Sequence, residues 1–404
     1  YTVQIVLPQP YAPFMAATTR GILPAHQWQG VTAVSLPSAE FNQQPIGTGP
    51  FMVAPGQNWT RDHRLNLTPN PAYWRSGTKV STLEFRFFPD EAALLDAFRA
   101  GRVQAINRVT DDMLPEIAAE PDTRLFTAGE PELTQLLFNL TDSGAPALQD
   151  VTVRQALAYA LDRNQLVDDA LNGQGLPLEG PYVPTNWAYN PSLLTAYSYQ
   201  PVTATLLLDT AGWTLPEGTA VRQQADDSLS LRLLALNDPD AQALANGVAA
   251  QWSAVGVDVA VETAVTIPEL LDKLAAREFD VALVDEAAPG DPDLYDFWSQ
   301  EAIIRGHNYG GWNNRRASEA LENGRKTWPI AERRPFYNTF LRQYNNDLPA
   351  ITLYQHVYTY ALSRAVNEAE IGRISRPMDR YRTFGDWFLL YRDVTVICSE
   401  DNVN

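Results

Sequence analysis

The chain has 404 residues, 45% apolar and 19% charged, with a net charge of −18. That is apolar material for two or three domains, with no run near the ~20 apolar residues of a membrane span and no basic cluster to attract nucleic acid or anionic lipid. The acidity favours neutral or cationic ligands, and the one cysteine, Cys398, leaves no intrachain disulfide to form.

Tyr1 comes first, with no charged and apolar leader, so any export signal is expected outside this chain. "YTVQIVL" alternates and predicts a first strand. At 43–53, "QQPIGTGPFMV" has glycines but no lysine after Gly49, and it leads into a strand rather than a helix. That excludes both a Walker loop and a dinucleotide loop and favours a tight turn using glycine's positive φ. "STLEFRFF" alternates again, with Leu83, Phe85 and Phe87 on one side. "PDEAALLDAFRAG" predicts a helix capped by Asp90 and stopped at Gly101.

"LTQLLFNL", 133–140, reads as a strand, and "DVTVRQALAYALDRNQLVDDALNG" as one long helical stretch capped by Asp150. A loop, "GPYVPTNWAYNP", precedes a helix that ends in "DTAGW". "DAQALANGVAAQWSAVG" then feeds the strand "VDVAVET", and "PELLDKLAAREFDVALVDE" repeats that order. The helix "ERRPFYNTFLRQYNND" and the strand "LPAITLYQHVYTYAL" follow. The alternation over roughly 150–290 predicts an α/β fold.

The four histidines, His26, His63, His307 and His356, show no i,i+3 or i,i+4 pair, so the pattern predicts no helical metal site. "VDEAAPGDPDLYDFW" places Asp285, Glu286, Asp291, Asp293 and Asp296 after an apolar strand, where open α/β sheets bind ligands. For Asp291 and Asp293 the favoured reading is capping of the next helix, with Pro292 in its first turn. Asp285 and Glu286 read equally well as structural or functional. Trp187, Tyr189, Tyr309 and Trp312 stand on Gly/Pro/Asn-rich loops, where rings serve as binding platforms or as core.

"QPIGTGPF", "NPAYW" and "FRFFPDEAALLDAFRAGRVQAI" resemble the family 5 extracellular solute-binding proteins of ABC importers, the receptors related to oligopeptide, dipeptide and nickel binding proteins. "LLFNL…LQDVTVRQALAYALDRNQLVDDALNGQG", "GPYVPTNWAYNP", "LLLDTAGW", "GDPDLYDFW", "HNYGGWNN" and "NNDLPAITLY" continue in the family's order. The resemblance implies a two-lobed α/β binding protein of the periplasmic type II kind, joined by two strands, with the solute enclosed by closure. It places one lobe at 140–355 and the other at 1–139 with 356–404. Family members carry a further stretch ahead of "YTVQIVL", so the chain is expected to be a fragment with an incomplete first lobe and an exposed sheet edge.

The resemblance also implies an extracytoplasmic location, permease subunits as partners, no cofactor, no catalysis, and membrane contact only through an N-terminal lipid anchor outside the chain. The Asp that holds a peptide amine in relatives matches Ala288 here, and a nearby Trp matches Asp285. A carboxylate-binding Arg is replaced by "LNDPDAQ". A zwitterionic dipeptide is therefore disfavoured against an uncharged or cationic solute, such as an oligosaccharide or a differently anchored peptide. The candidate ligand residues are Asn139, Trp187, Tyr189, Asn237, Asp238, Asp285, Glu286, Tyr309, Trp312 and Tyr354. Two alternatives stand beside this reading: a carboxylate-dependent glycoside or peptide hydrolase, and a solute-sensing domain of a regulator.

Overall fold

A computed structural model describes residues 2–19, 21–57, 59–75, 77–288, 290–372 and 377–389; Cys398 lies outside them. The chain forms two compact units, Tyr1–Gly21 with Gly129–Val357, and Ile22–Ala128 with Tyr358–Asn404.

The larger unit is α/β. Its elements, in chain order, are β1 (Thr123–Phe138, which begins in the smaller unit), α1 (Val151–Tyr159), α2 (Arg163–Leu171), β2 (Gly175–Pro177), α3 (Pro201–Thr210), β3 (Ser230–Leu236), α4 (Pro239–Ser253), β4 (Asp258–Ala264), α5 (Ile267–Ala276), β5 (Val281–Ala287), α6 (Arg315–Lys326), α7 (Ile330–Asp347) and β6 (Ala350–Ser363, which ends in the smaller unit). The strands run in the order β4-β3-β5-β1-β6, and β2 pairs with β6. β3 is parallel to β4 and β5, and β5 is antiparallel to β1.

Side chains on a strand alternate between faces, and here both faces are covered. Leu136, Phe138, Leu231, Leu233, Val281 and Leu283 pack with α1, α2, α3 and α4. Leu137, Leu234 and Ala282, at the intervening positions, pack with α5, α6 and α7. Trp252 of α4 is fully buried and donates its indole N–H to the Leu157 carbonyl of α1 at 2.9 Å. Arg154 of α1 is buried and donates to the carbonyls of Leu148, Asp347 and Leu348. It thereby closes the C-terminus of α7 just before β6; burial pushes its pKa down to about 10.

The smaller unit has an antiparallel sheet of Phe51–Val53, Arg64–Pro69 and Leu83–Arg86. Its helix Glu91–Arg99 is capped by Asp90, which accepts from the Ala93 N–H at 2.8 Å. Leu95 and Phe98 of that helix pack with Ile106, Ile117 and Ala361.

Four expectations need correction. Residues 2–7 form no strand, and Val3, Ile5 and Val6 are exposed; alternation makes a strand only where a neighbour takes its backbone hydrogen bonds. The stretch after Asp150 is two helices, because Asp162 caps a second one by accepting from Gln165 N–H at 3.1 Å. Neither Gly47 nor Gly49 has a φ in the left-handed region, so the bend before Phe51 owes nothing to positive φ. The helix Tyr295–Trp298 has Leu294 at its N-cap, while Asp291 pairs with Arg333 and Asp293 with Arg325. Two carboxylates beside the buried Arg333 and the part-buried Arg325 satisfy charge before they satisfy a cap; Asp293 also accepts from Tyr295 N–H at 3.3 Å.

Trp252→Ala removes the indole from a sealed core and orphans the Leu157 carbonyl. The expected loss is about 3–5 kcal/mol, read as a lower urea midpoint at unchanged slope.

Candidate functional site

β1 lies between β5 and β6, so any polar residue on it must find a partner across the sheet. Thr134 sits opposite Asp285 in register. Its hydroxyl lies 2.5 Å from Asp285 Oδ1 and 2.8 Å from His356 Nε2, and the last two atoms are 3.2 Å apart. A protonated imidazole donates Nε2–H, which leaves Thr134 free to donate to Asp285. The Tyr354 ring lies 5.0 Å from that of His356. Thr134 and Tyr354 are buried, whereas the Asp285 side chain is 56% exposed.

Burial works against charge on both titrating groups, but pairing outweighs it. Burial raises the Asp285 pKa, and the hydrogen bonds and charge from His356, with the Thr134 bond, bring it below the ordinary carboxylate value. Burial lowers the His356 pKa, and Asp285, then Glu132 and Glu130, lift it above the ordinary imidazole value. The group sits at the carboxyl ends of β3 and β5, where open α/β sheets place ligands. Tyr354 also feels the charges of Asp238 and Asp240 at the start of α4.

Of the ten sequence-selected residues, this end of the sheet holds Asp285, Tyr354, Asp238 and Asn237. Asp238 caps α4, accepting from Ala241 N–H at 3.0 Å, and Asn237 is exposed. Glu286 neighbours Asp285 on β5 and therefore points to the opposite face, where Gln135 donates to it. Tyr189 packs on that face, against the cluster of Leu133 and Ala288.

The remaining four are built into structure elsewhere. Asn139 is beside Asp280, five positions from Asp285 and so roughly 17 Å along the strand. It donates to the Phe279 and Arg277 carbonyls and accepts from Thr141. Trp312 is core and donates to Asp347 at 2.9 Å. Tyr309 adjoins His307, and its carbonyl accepts from Arg277. The Trp187 ring meets Tyr337 at 5.3 Å and the guanidiniums of Arg333 and Arg334.

Thr134, Gln135 and His356 are absent from the sequence selection. Their signal is a polar side chain inside an otherwise apolar strand, in "LTQLLF" and "ITLYQHVYTYAL". Among the described residues no cluster of three or more His, Cys, Asp or Glu could hold a metal. No described helix is long and apolar enough to cross a membrane.

The profile of "Bacterial extracellular solute-binding proteins, family 5 Middle" matches residues 1–302. The chain belongs to this family of solute-binding proteins. The family 5 chain is 25% identical over 358 residues to the dipeptide-binding protein of Escherichia coli K12, a match covering 87% of this chain and 64% of the relative. It thus spans less than two thirds of that relative's length. Its fold matches the oligopeptide-binding protein AppA of Bacillus subtilis in complex with a nonapeptide, with TM-score 0.69 and 22% identity over 95% of this chain and 75% of that one. It also matches NikZ from Campylobacter jejuni in complex with Ni(L-His), with TM-score 0.72 and 23% identity over 96% and 78%. The two-lobed α/β class implied by the sequence is the class of these neighbours.

Asp285→Asn keeps the shape and removes the charge. The His356 protonation midpoint, followed by NMR, is expected to fall toward its ordinary value. The raised His356 pKa adds stability below its ordinary 6.5 that is lost as pH rises through the folded value. The depressed Asp285 pKa adds stability above its ordinary 3.8 that is lost as pH falls through the folded value. The substitution therefore destabilises most between 3.8 and 6.5, and by less than about 1 kcal/mol, because water screens a half-exposed pair.

Proposed function

We propose that this chain is the solute-capturing part of an extracytoplasmic receptor that delivers its ligand to the permease subunits of an ABC importer. The observation that carries the reading is the Asp285–Thr134–His356 group at the carboxyl ends of the strands. The Asp285 side chain is half exposed, its Oδ2 accepts no hydrogen bond among the described residues, and the charges of Glu130 and Glu132 act on its partner His356. Such a group orients a ligand that donates hydrogen bonds or carries positive charge.

The solute class favoured is a peptide, from the names of the dipeptide- and oligopeptide-binding relatives. The relatives' amine anchor matches Ala288, which is buried beside Leu133, so the amine is assigned to Asp285 instead. Asp238 and Tyr354 complete the proposed contacts. The lobe division at 140–355 is part of the same reading; the compact units place their cuts at 128/129 and 357/358 and group 1–21 with the larger unit.

The hydrolase alternative has no support in the geometry. Asp285 and Glu286 face opposite sides of the sheet, so they do not flank one scissile bond. Asp285 and His356 share one nitrogen and one hydroxyl, whereas a triad puts the acid on the far imidazole nitrogen.

Calorimetry of the chain with short peptides and with neutral oligosaccharides tests the reading. Peptides are expected to bind and to be recovered uncleaved by chromatography, and Asp285→Ala is expected to weaken binding by about 10- to 100-fold, the worth of a charged hydrogen bond. Time-dependent loss of the peptide, or full affinity in the variant, rejects it.

A further inference from the structure

On the face of β5 opposite Asp285, a carboxyl group is sealed in apolar and aromatic surroundings. Glu286 is 8% exposed and stands opposite Leu133 in register. It takes part in no ion pair among the described residues. Its Oε2 accepts from Gln135 Nε2. Gln135 is itself 2% exposed, and its Oε1 is buried without a hydrogen-bond partner.

The other groups around it leave that acceptor unserved. Tyr182 and Tyr344, whose hydroxyls feel the Glu286 charge, give their protons to the Pro292 and Ala350 carbonyls. Trp298 adjoins the carboxyl, yet its Nε1 makes no hydrogen bond of proper geometry. Asp285 and His356, the nearest charged pair on the sheet, occupy the other face. Arg333 and Arg325 are committed to Asp291 and Asp293.

We propose that Glu286 and Gln135 form a proton-linked lock, in which the neutral carboxylic acid and the carboxamide hydrogen-bond reciprocally. The amide N–H donates to the carboxyl oxygen already observed, and the acid O–H donates to Gln135 Oε1. One proton thus removes a buried charge and satisfies a buried acceptor. On ionisation that proton leaves to water. Two acceptors then face each other with one donor between them, and a second negative charge appears beside Asp285 at the carboxyl end of β5. The lock therefore couples solution pH to the strand end that carries the candidate ligand residue.

Burial is the dominant cause of a Glu286 pKa raised to about 7, against the opposing bond from Gln135 and the nearby Trp298 indole N–H. The sign follows: the folded chain binds a proton that the unfolded chain lacks between 4.5 and about 7, so the lock's contribution is complete below 4.5 and is lost as pH rises through about 7.

Glu286→Gln keeps the shape and abolishes the titration. The chain's folding equilibrium is measured by urea unfolding across this window for both proteins. Relative to the variant, the wild type is expected to lose stability by up to about tenfold per pH unit. Because His356 titrates in both, the comparison isolates Glu286. Infrared difference spectra of the wild type below and above neutral pH supply a readout that needs no variant: a protonated buried carboxyl band is expected at about pH 6 and is expected to vanish at about pH 8.5. Parallel pH profiles for the two proteins, or a carboxylate band alone at the lower pH, overturn the proposal.

Discussion

The constraint on which this fold turns is that β1 runs through the middle of a sheet covered on both faces. From Leu133 to Phe138 that strand is buried, so every polar side chain there is a debt to be settled by a neighbour. The segment from Leu133 to Asn139 carries three such residues, and each is met differently. Thr134 is served by Asp285 and His356, Gln135 by Glu286, and Asn139 by the Phe279 and Arg277 carbonyls. The first two draw titratable groups from the flanking strands into fixed places. The third staples the loop after the strand.

Register is what makes this work, because a slip of one residue exchanges the faces. Two arginines help to hold it. Asp280 accepts from the backbone N–H and the guanidinium of Arg232, which ties the start of β5 to β3. Arg154 reaches from α1 to the carbonyls that end α7 and so fixes where β6 begins. Replacing either contact by a charge without a partner costs far more than the contact itself contributes. That asymmetry keeps the two strand starts fixed.

Much of the fold was legible because caps and glycines punctuate it. Asp90 and Asp150 each precede an apolar period of helical spacing, and both are caps, whereas Asp238, read as a ligand residue, is a cap as well. Gly212 and Gly256, both at positive φ, end helices where the sequence places them. The misreadings have a common cause. Ala160 and Leu161 continue the apolar face across a real break, so periodicity hid the second cap at Asp162. Residues 2–7 alternate without a neighbour to pair with, a property no short stretch reveals. At the site, "VDE" at a strand end marked Asp285 and Glu286. What one sequence cannot show is that adjacent positions divide between faces with different partners, or that His356 arrives from 71 residues away.

That division also governs what the two acids can do. On one face Asp285 is half exposed, already polarised by a neighbouring imidazole, and still has an oxygen to offer. Ionised there, it costs little and attracts a donor. On the other face Glu286 is buried, close enough for its charge to act on Tyr182 and Tyr344, and it takes part in no ion pair among the described residues. One backbone step thus separates a carboxyl whose pKa its partners lower from one whose pKa burial raises. Thr134 is buried and hydrogen-bonded to both Asp285 and His356. The arrangement holds a half-exposed carboxylate against a buried hydroxyl and an imidazole.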